Sequence, residues 1–119
     1  MSWRQIPLPK AMLDQWTGTE FGAPRMYQQG GVRALVGRER WTDGTARWHI
    51  SVSTETRVPT WAELSTAAHE LRPGVPFCMG VPPKSWWVNI HPNVLHLWET
   101  NDPGLLEEWR QNARGDTPS

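Results

Sequence analysis

Residues 33–54, RALVGRERWTDGTARWHISVST, decide how this chain reads. Two runs of strand character flank Asp43-Gly44. A type I′ hairpin turn needs positive φ at both central positions, and Asp-Gly is among the pairs that supply it. Taken as a two-residue loop, Asp43-Gly44 sets Thr42 opposite Thr45, Trp41 opposite Ala46, Arg40 opposite Arg47, Glu39 opposite Trp48 and Arg38 opposite His49. Directly opposed residues share a face. One face then carries Leu35, Trp41, Trp48, Ile50 and Val52 and should be core. The other carries Arg38, Arg40, Arg47, His49, Ser51 and Ser53 and should be polar and cationic, with Arg47, His49 and Ser51 the more exposed.

Downstream, Thr60 with Glu63 three residues on forms a capping box. Trp61, Leu64, Ala68 and Leu71 recur at helical spacing, and Pro73-Gly74 stops the helix, so the spacing predicts a helix over 60–72. A short apolar strand is expected over 77–81. Pro92-Asn93 suits a tight turn between strands 86–91 and 94–99, with Trp86, Val88, Ile90, Leu95 and Leu97 on a core face. Trp87, Asn89, His91, His96 and Trp98 fall on the other face, Trp87 directly opposite Trp98. Asp102-Pro103 starts a short C-terminal helix with Leu105, Leu106 and Trp109 inward. Upstream, residues 1–31 are rich in Pro, Gly and Gln and read as an irregular arm, closed by Gly30-Gly31. The expected organisation is an arm over 1–31, one α+β domain over 32–112 and a frayed tail over 113–119. The domain is an antiparallel sheet of about four to five strands, with one main helix packed on it and a short C-terminal helix.

With 119 residues the chain fits one domain able to build a core without metal or disulfide staples. Nine tryptophans exceed what one small core hides, so some are expected at a binding surface, where Trp is enriched. Lys+Arg and Asp+Glu number 12 each, which disfavours general phosphate neutralisation but leaves room for a local basic patch. Ten of the twelve cations are arginines, the residue suited to bidentate contacts. Cys78 is the lone cysteine, so no internal disulfide is available. Residues 1–10 lack the apolar run of a signal peptide, and no stretch approaches the ~20 apolar residues of a membrane span, so a cytoplasmic location is expected.

Four pieces of sequence occur together: HISVS at 49–53, R-x-PTWxEL at 57–64, Pro82-Pro83, and VNIHPNVLHLWE at 88–99. Together they resemble a family of small proteins of unknown function encoded by bacteriophages and prophages, over residues 33–100. The resemblance implies an origin, and an accessory role in binding host or phage macromolecules, inhibition of host defences included.

Arg38, Arg40 and Arg47 on adjacent strands, with His49, could grip a phosphate or carboxylate; the competing reading is an ordinary solvated face. Asn89, His91 and His96 with His49 could form a small metal site, but no third and fourth ligand lie nearby in sequence. Set against this, the histidines bond to backbone and fill space beside Trp87 and Trp98. No metal and no other cofactor is therefore expected. His49-Ile-Ser51 matches one half of the paired His-x-Ser/Thr pattern of two-histidine phosphoesterases, while His96-Leu-Trp98 lacks the hydroxyl. The expected function is non-enzymatic binding of a host or phage macromolecule, or self-association, through Trp87 and Trp98 or the neighbouring arginine face. The alternatives are a histidine-dependent phosphodiester hydrolase or nuclease and a nucleotide binder, with nucleic acid a conceivable partner of the arginines.

Overall fold

The computed structural model describes residues 3–10, 13, 22–40, 44–80 and 93–107. The strands are β1 (Arg4–Ile6), β2 (Arg25–Gln29), β3 (Val32–Arg40), β4 (Ala46–Thr54), β5 (Phe77–Gly80) and β6 (Val94–Glu99). They form one antiparallel sheet in the order β1-β2-β3-β4-β6-β5. Helix α1 (Trp61–Leu71) connects β4 to β5, and β6 then returns between them. A short helix α2 covers residues 103–107, where the Asp102 carboxylate accepts from the backbone N–H of Gly104 and Leu105. Leu105 of that helix is exposed rather than inward. No helix among the described residues is long and apolar enough to cross a membrane.

Six strands exceed the expected four to five because residues 1–31 are not wholly irregular. They supply β1 and β2, and Gly30-Gly31 is the hairpin loop joining β2 to β3, with Gln29 paired to Val32. Gly30 takes φ +58°, the positive value that a two-residue loop asks of its first central position.

The β3–β4 hairpin is real, but its register is one residue away from the expected one. Arg40 pairs with Ala46, Glu39 with Arg47, Arg38 with Trp48 and Gly37 with His49. The loop between the strands therefore has an odd number of residues, and Gly44 in it has φ +85°. The cause lies in the core. This register sets Val36 against Ile50 and Ala34 against Val52, so Val32, Ala34 and Val36 all face α1 together with Ile50 and Val52. The expected register would have placed Leu35 there and turned three apolar side chains away.

The α1 face of the sheet holds the main core, in which Val36, Ile50, Phe77 and Leu97 meet Trp61, Leu64 and Ala67. Thr60 and Glu63 form the expected capping box. Arg57 makes a two-pronged ion pair with the Glu63 carboxylate at 2.6 and 2.7 Å. That pair, with the Thr60 bonds, brings the Glu63 pKa down to about 2. Its stabilising contribution is complete above the ordinary value of 4.5 and is lost as pH falls toward 2. Replacing Thr60 with alanine is expected to cost about 1 kcal/mol by denaturant unfolding, through the lost cap.

The opposite face is buried as well, which corrects the expectation of a solvated cationic surface. Met26 and Leu35 pack there with Ile6, Leu8 and Val94. Beside them His49, Ser51, Ser53, His96 and Trp98 are all buried. Trp98 pairs with His49 on one side and Cys78 on the other, so both of its cross-strand positions are taken. Trp98 is therefore a core residue rather than an exposed one; its expected partner Trp87 lies outside the described residues.

Candidate functional site

The expected arginine face divides between the two sides of the sheet. Arg38 and Arg40 fall on the α1 side with Trp48, and Arg47 falls on the other with His49 and Glu39. Arg40 is exposed and donates to the Gly44 carbonyl at 3.2 Å; Arg47 donates to Thr45 Oγ1 at 3.2 Å. Trp87, Asn89 and His91 lie outside the described residues. Two separate constellations result.

The first is a pocket of about 330 Å³ between β2, β3, β4 and the C-terminal end of α1. Arg25, Tyr27, Arg38, Trp48 and Arg72 line it, along with Val36 and Leu71. Arg38 and Trp48 are a directly opposed cross-strand pair, and Arg25 opposes Val36 on the next strand. Arg72 is the C-cap of α1, its backbone N–H bonded to the Ala68 carbonyl, which carries its side chain back over the sheet. Its guanidinium carbon sits 3.3 Å from the centre of the Trp48 ring, and that of Arg38 sits at 5.1 Å. Trp48 is thus a platform that fixes guanidinium groups, a use of its π-face that reduces their freedom before any ligand arrives. Burial lowers the Arg72 pKa; Tyr27 opposes this, and the positive charges of Arg38 and Arg25 add to it. The described lining carries three guanidiniums and no carboxylate, the charge pattern of an anion site.

The second constellation is buried on the opposite face. β4 and β6 pair so that Ser51 opposes His96 and His49 opposes Trp98. His49 stacks on Trp98 with ring centres 3.9 Å apart and planes at 13°. Its Nε2 lies 2.9 Å from Ser51 Oγ and 2.9 Å from His96 Nδ1, and Ser51 Oγ is also 2.9 Å from that same His96 nitrogen. On its other side, His49 Nδ1 lies 3.4 Å from the Glu39 carboxylate, an electrostatic contact somewhat longer than an ordinary hydrogen bond. Glu39 is itself buried. Carboxylate, imidazole and hydroxyl follow one another in the order that nucleophilic catalysis uses. Ser51, however, is 0% exposed, so a substrate has no access to its hydroxyl in this conformation.

Burial pushes the His49 pKa below the usual histidine value, against the nearby Glu39, which raises it. Burial, assisted by His49, brings His96 down from 6.5 to about 3. Both imidazoles are therefore neutral near pH 7. Below pH 6.5 the unfolded chain takes up protons that the native chain refuses, so stability is full above that value and falls as pH drops toward 3. For His96 the loss runs at about 1.4 kcal/mol per pH unit, or about 3 kcal/mol by pH 4.5. Urea unfolding of EDTA-treated protein at pH 7.5 and 4.5 should show this loss, and His96→Gln should remove the His96 share. Equal stability of the wild type at the two values would refute the buried, neutral assignment.

A family model described as a domain of unknown function (DUF7694) matches residues 39–102. The chain belongs to this family. The DUF7694 segment holds the whole buried constellation, Glu39, His49, Ser51, His96 and Trp98, together with Trp48 and Arg72 of the pocket. Arg25, Tyr27 and Arg38 precede it. No curated protein and no solved structure matches the chain. The reading of residue types selected Arg38, His49, His96 and Trp98 but missed Arg25, Tyr27, Arg72 and the inward turn of Glu39. Arg25 and Tyr27 sat in a segment read as irregular, and nothing in the sequence around Arg72 marks its return over Trp48.

Proposed function

We propose that this DUF7694 protein is a non-catalytic accessory protein of phage or prophage origin. It acts by binding a host or phage protein, taking hold of an acidic segment of that partner in the Arg25–Tyr27–Arg38–Trp48–Arg72 pocket. The observation that carries this reading is the trio of guanidiniums around an aromatic platform, on a chain whose net charge is zero. A protein without overall positive charge that gathers arginines at one pocket has a local use for them. The phage origin rests on the HISVS, PTWAEL and VNIHPNVLHLWE strings. Inhibition of a host defence protein is one form such binding takes.

Arg25→Glu and Arg72→Glu are expected each to weaken partner binding by thirtyfold or more, about 2 kcal/mol, with folding unchanged by circular dichroism. Arg47→Glu, on the opposite face, serves as the control and should leave affinity nearly unchanged. Wild-type affinity in both pocket variants would defeat the proposal. Competition by a nucleotide in place of an acidic peptide would instead favour the nucleotide-binding alternative.

A second reading, a histidine-dependent phosphodiester hydrolase, has one observation in its favour, the Glu39–His49–Ser51 order. Its test is turnover of bis(p-nitrophenyl) phosphate that disappears in Ser51→Ala; the full burial of Ser51 speaks against it.

A further inference from the structure

The buried constellation on the far side of the sheet has a geometry that the arginine pocket does not use. His49 Nε2, Ser51 Oγ and His96 Nδ1 lie 2.9 Å apart in all three pairings, a closed triangle of polar atoms. The Glu39 carboxylate beside His49 Nδ1 favours a proton on that nitrogen, which leaves the Nε2 lone pair aimed into the triangle. The triangle then has at most two protons for three short edges, one from Ser51 and one from His96 Nδ1. A third proton would make an imidazolium in a site buried from water. One edge is thus left to share a proton or to set lone pair against lone pair. A cation removes the conflict by accepting the lone pairs that the missing proton leaves facing one another. Atoms spaced 2.9 Å apart can all lie at the ~2.0–2.2 Å that imidazole nitrogens and oxygens keep from a zinc ion.

We propose that His49 Nε2, His96 Nδ1 and Ser51 Oγ form one face of a binding site for a divalent transition-metal ion such as Zn²⁺. Glu39 is the outer carboxylate that orients His49, the arrangement in which a ligating imidazole presents its second N–H to an acid. Imidazole suits zinc, cobalt, nickel and copper over magnesium and calcium. Among the described residues no three His, Cys, Asp or Glu side chains are placed to hold a metal; the third donor here is a hydroxyl. The sequence expectation of no metal rested on the absence of a local ligand set. The pairing of β4 with β6 joins ligands 47 residues apart. This site stands independently of the arginine pocket, since it lies on the other face of the sheet.

The test uses the full chain, stripped with EDTA and titrated with Co²⁺ and then Zn²⁺. The expected result is one equivalent per chain, visible Co²⁺ absorption bands, a raised thermal midpoint, and shifts of two of the four histidine ring systems by NMR. Glu39→Gln should weaken the affinity ten- to a hundredfold. His49→Gln and His96→Gln should abolish binding. If a glutamine variant fails to fold, the wild-type ring spectrum decides in its place. Absence of both the Co²⁺ bands and the ring shifts would overturn the proposal, as would binding that survives in both histidine variants.

Discussion

Replacing Trp61 with alanine is expected to lower the unfolding free energy by about 3–5 kcal/mol, the loss typical of a large buried aromatic. Trp61 is the first residue of α1 and is 3% exposed, in the core formed by Leu64, Ala67, Ile50 and Phe77. It anchors the end of the helix that the Thr60–Glu63 box caps, so the cavity opens where α1 is pinned to the sheet. Because α1 also delivers Arg72 to the pocket, a helix held less firmly should weaken ligand binding as well as lower the denaturation midpoint. A midpoint unchanged by Trp61→Ala would refute the packing of α1 described above.

Trp98→Ala should cost a similar 3–5 kcal/mol, for a different reason. Its ring is 2% exposed and covers one face of His49. Removing it opens a large cavity and also forfeits a stacking contact worth about 0.5–1.5 kcal/mol beyond buried area. Since Trp98 lies on the face away from the pocket, the variant should keep wild-type affinity for an acidic peptide at temperatures where it remains folded. Had Trp98 been an exposed anchor, the reverse pattern would follow, with affinity lost and stability kept. Chemical denaturation and calorimetric titration of the same sample separate the two.

The elements with local signals were legible in the sequence. The Thr60–Glu63 box fixed the start of α1, and the VLHLWE run over 94–99 coincides with β6. Asp43-Gly44 announced a turn without fixing the parity of its loop, and the register followed instead from three apolar residues on β3 outweighing Leu35. β2 escaped because Arg25–Gln29 has no alternation: Met26 and Tyr27 are adjacent, one entering each layer of the core. The same two-sided burial hid the character of His49 and Ser51, since a polar stripe on a strand reads as solvated unless the other face is known to be covered. The pocket was the least legible feature. Its arginines come from β2, β3 and the end of α1, and only tertiary packing brings Arg25, Arg38 and Arg72 around Trp48.

The pocket around Trp48 is proposed to grip an anionic group. That grip is tested most directly by titrating the ¹⁵N-labelled chain with an Asp/Glu-rich peptide while following the Trp48 indole N–H and the Arg Nε–Hε signals. Saturable shifts are expected at Trp48, Arg25, Arg38 and Arg72 that weaken as salt rises and vanish in Arg72→Glu, with His49 and Trp98 undisturbed. Shifts confined to other residues, or no saturable shift at Trp48 at low salt, would contradict it.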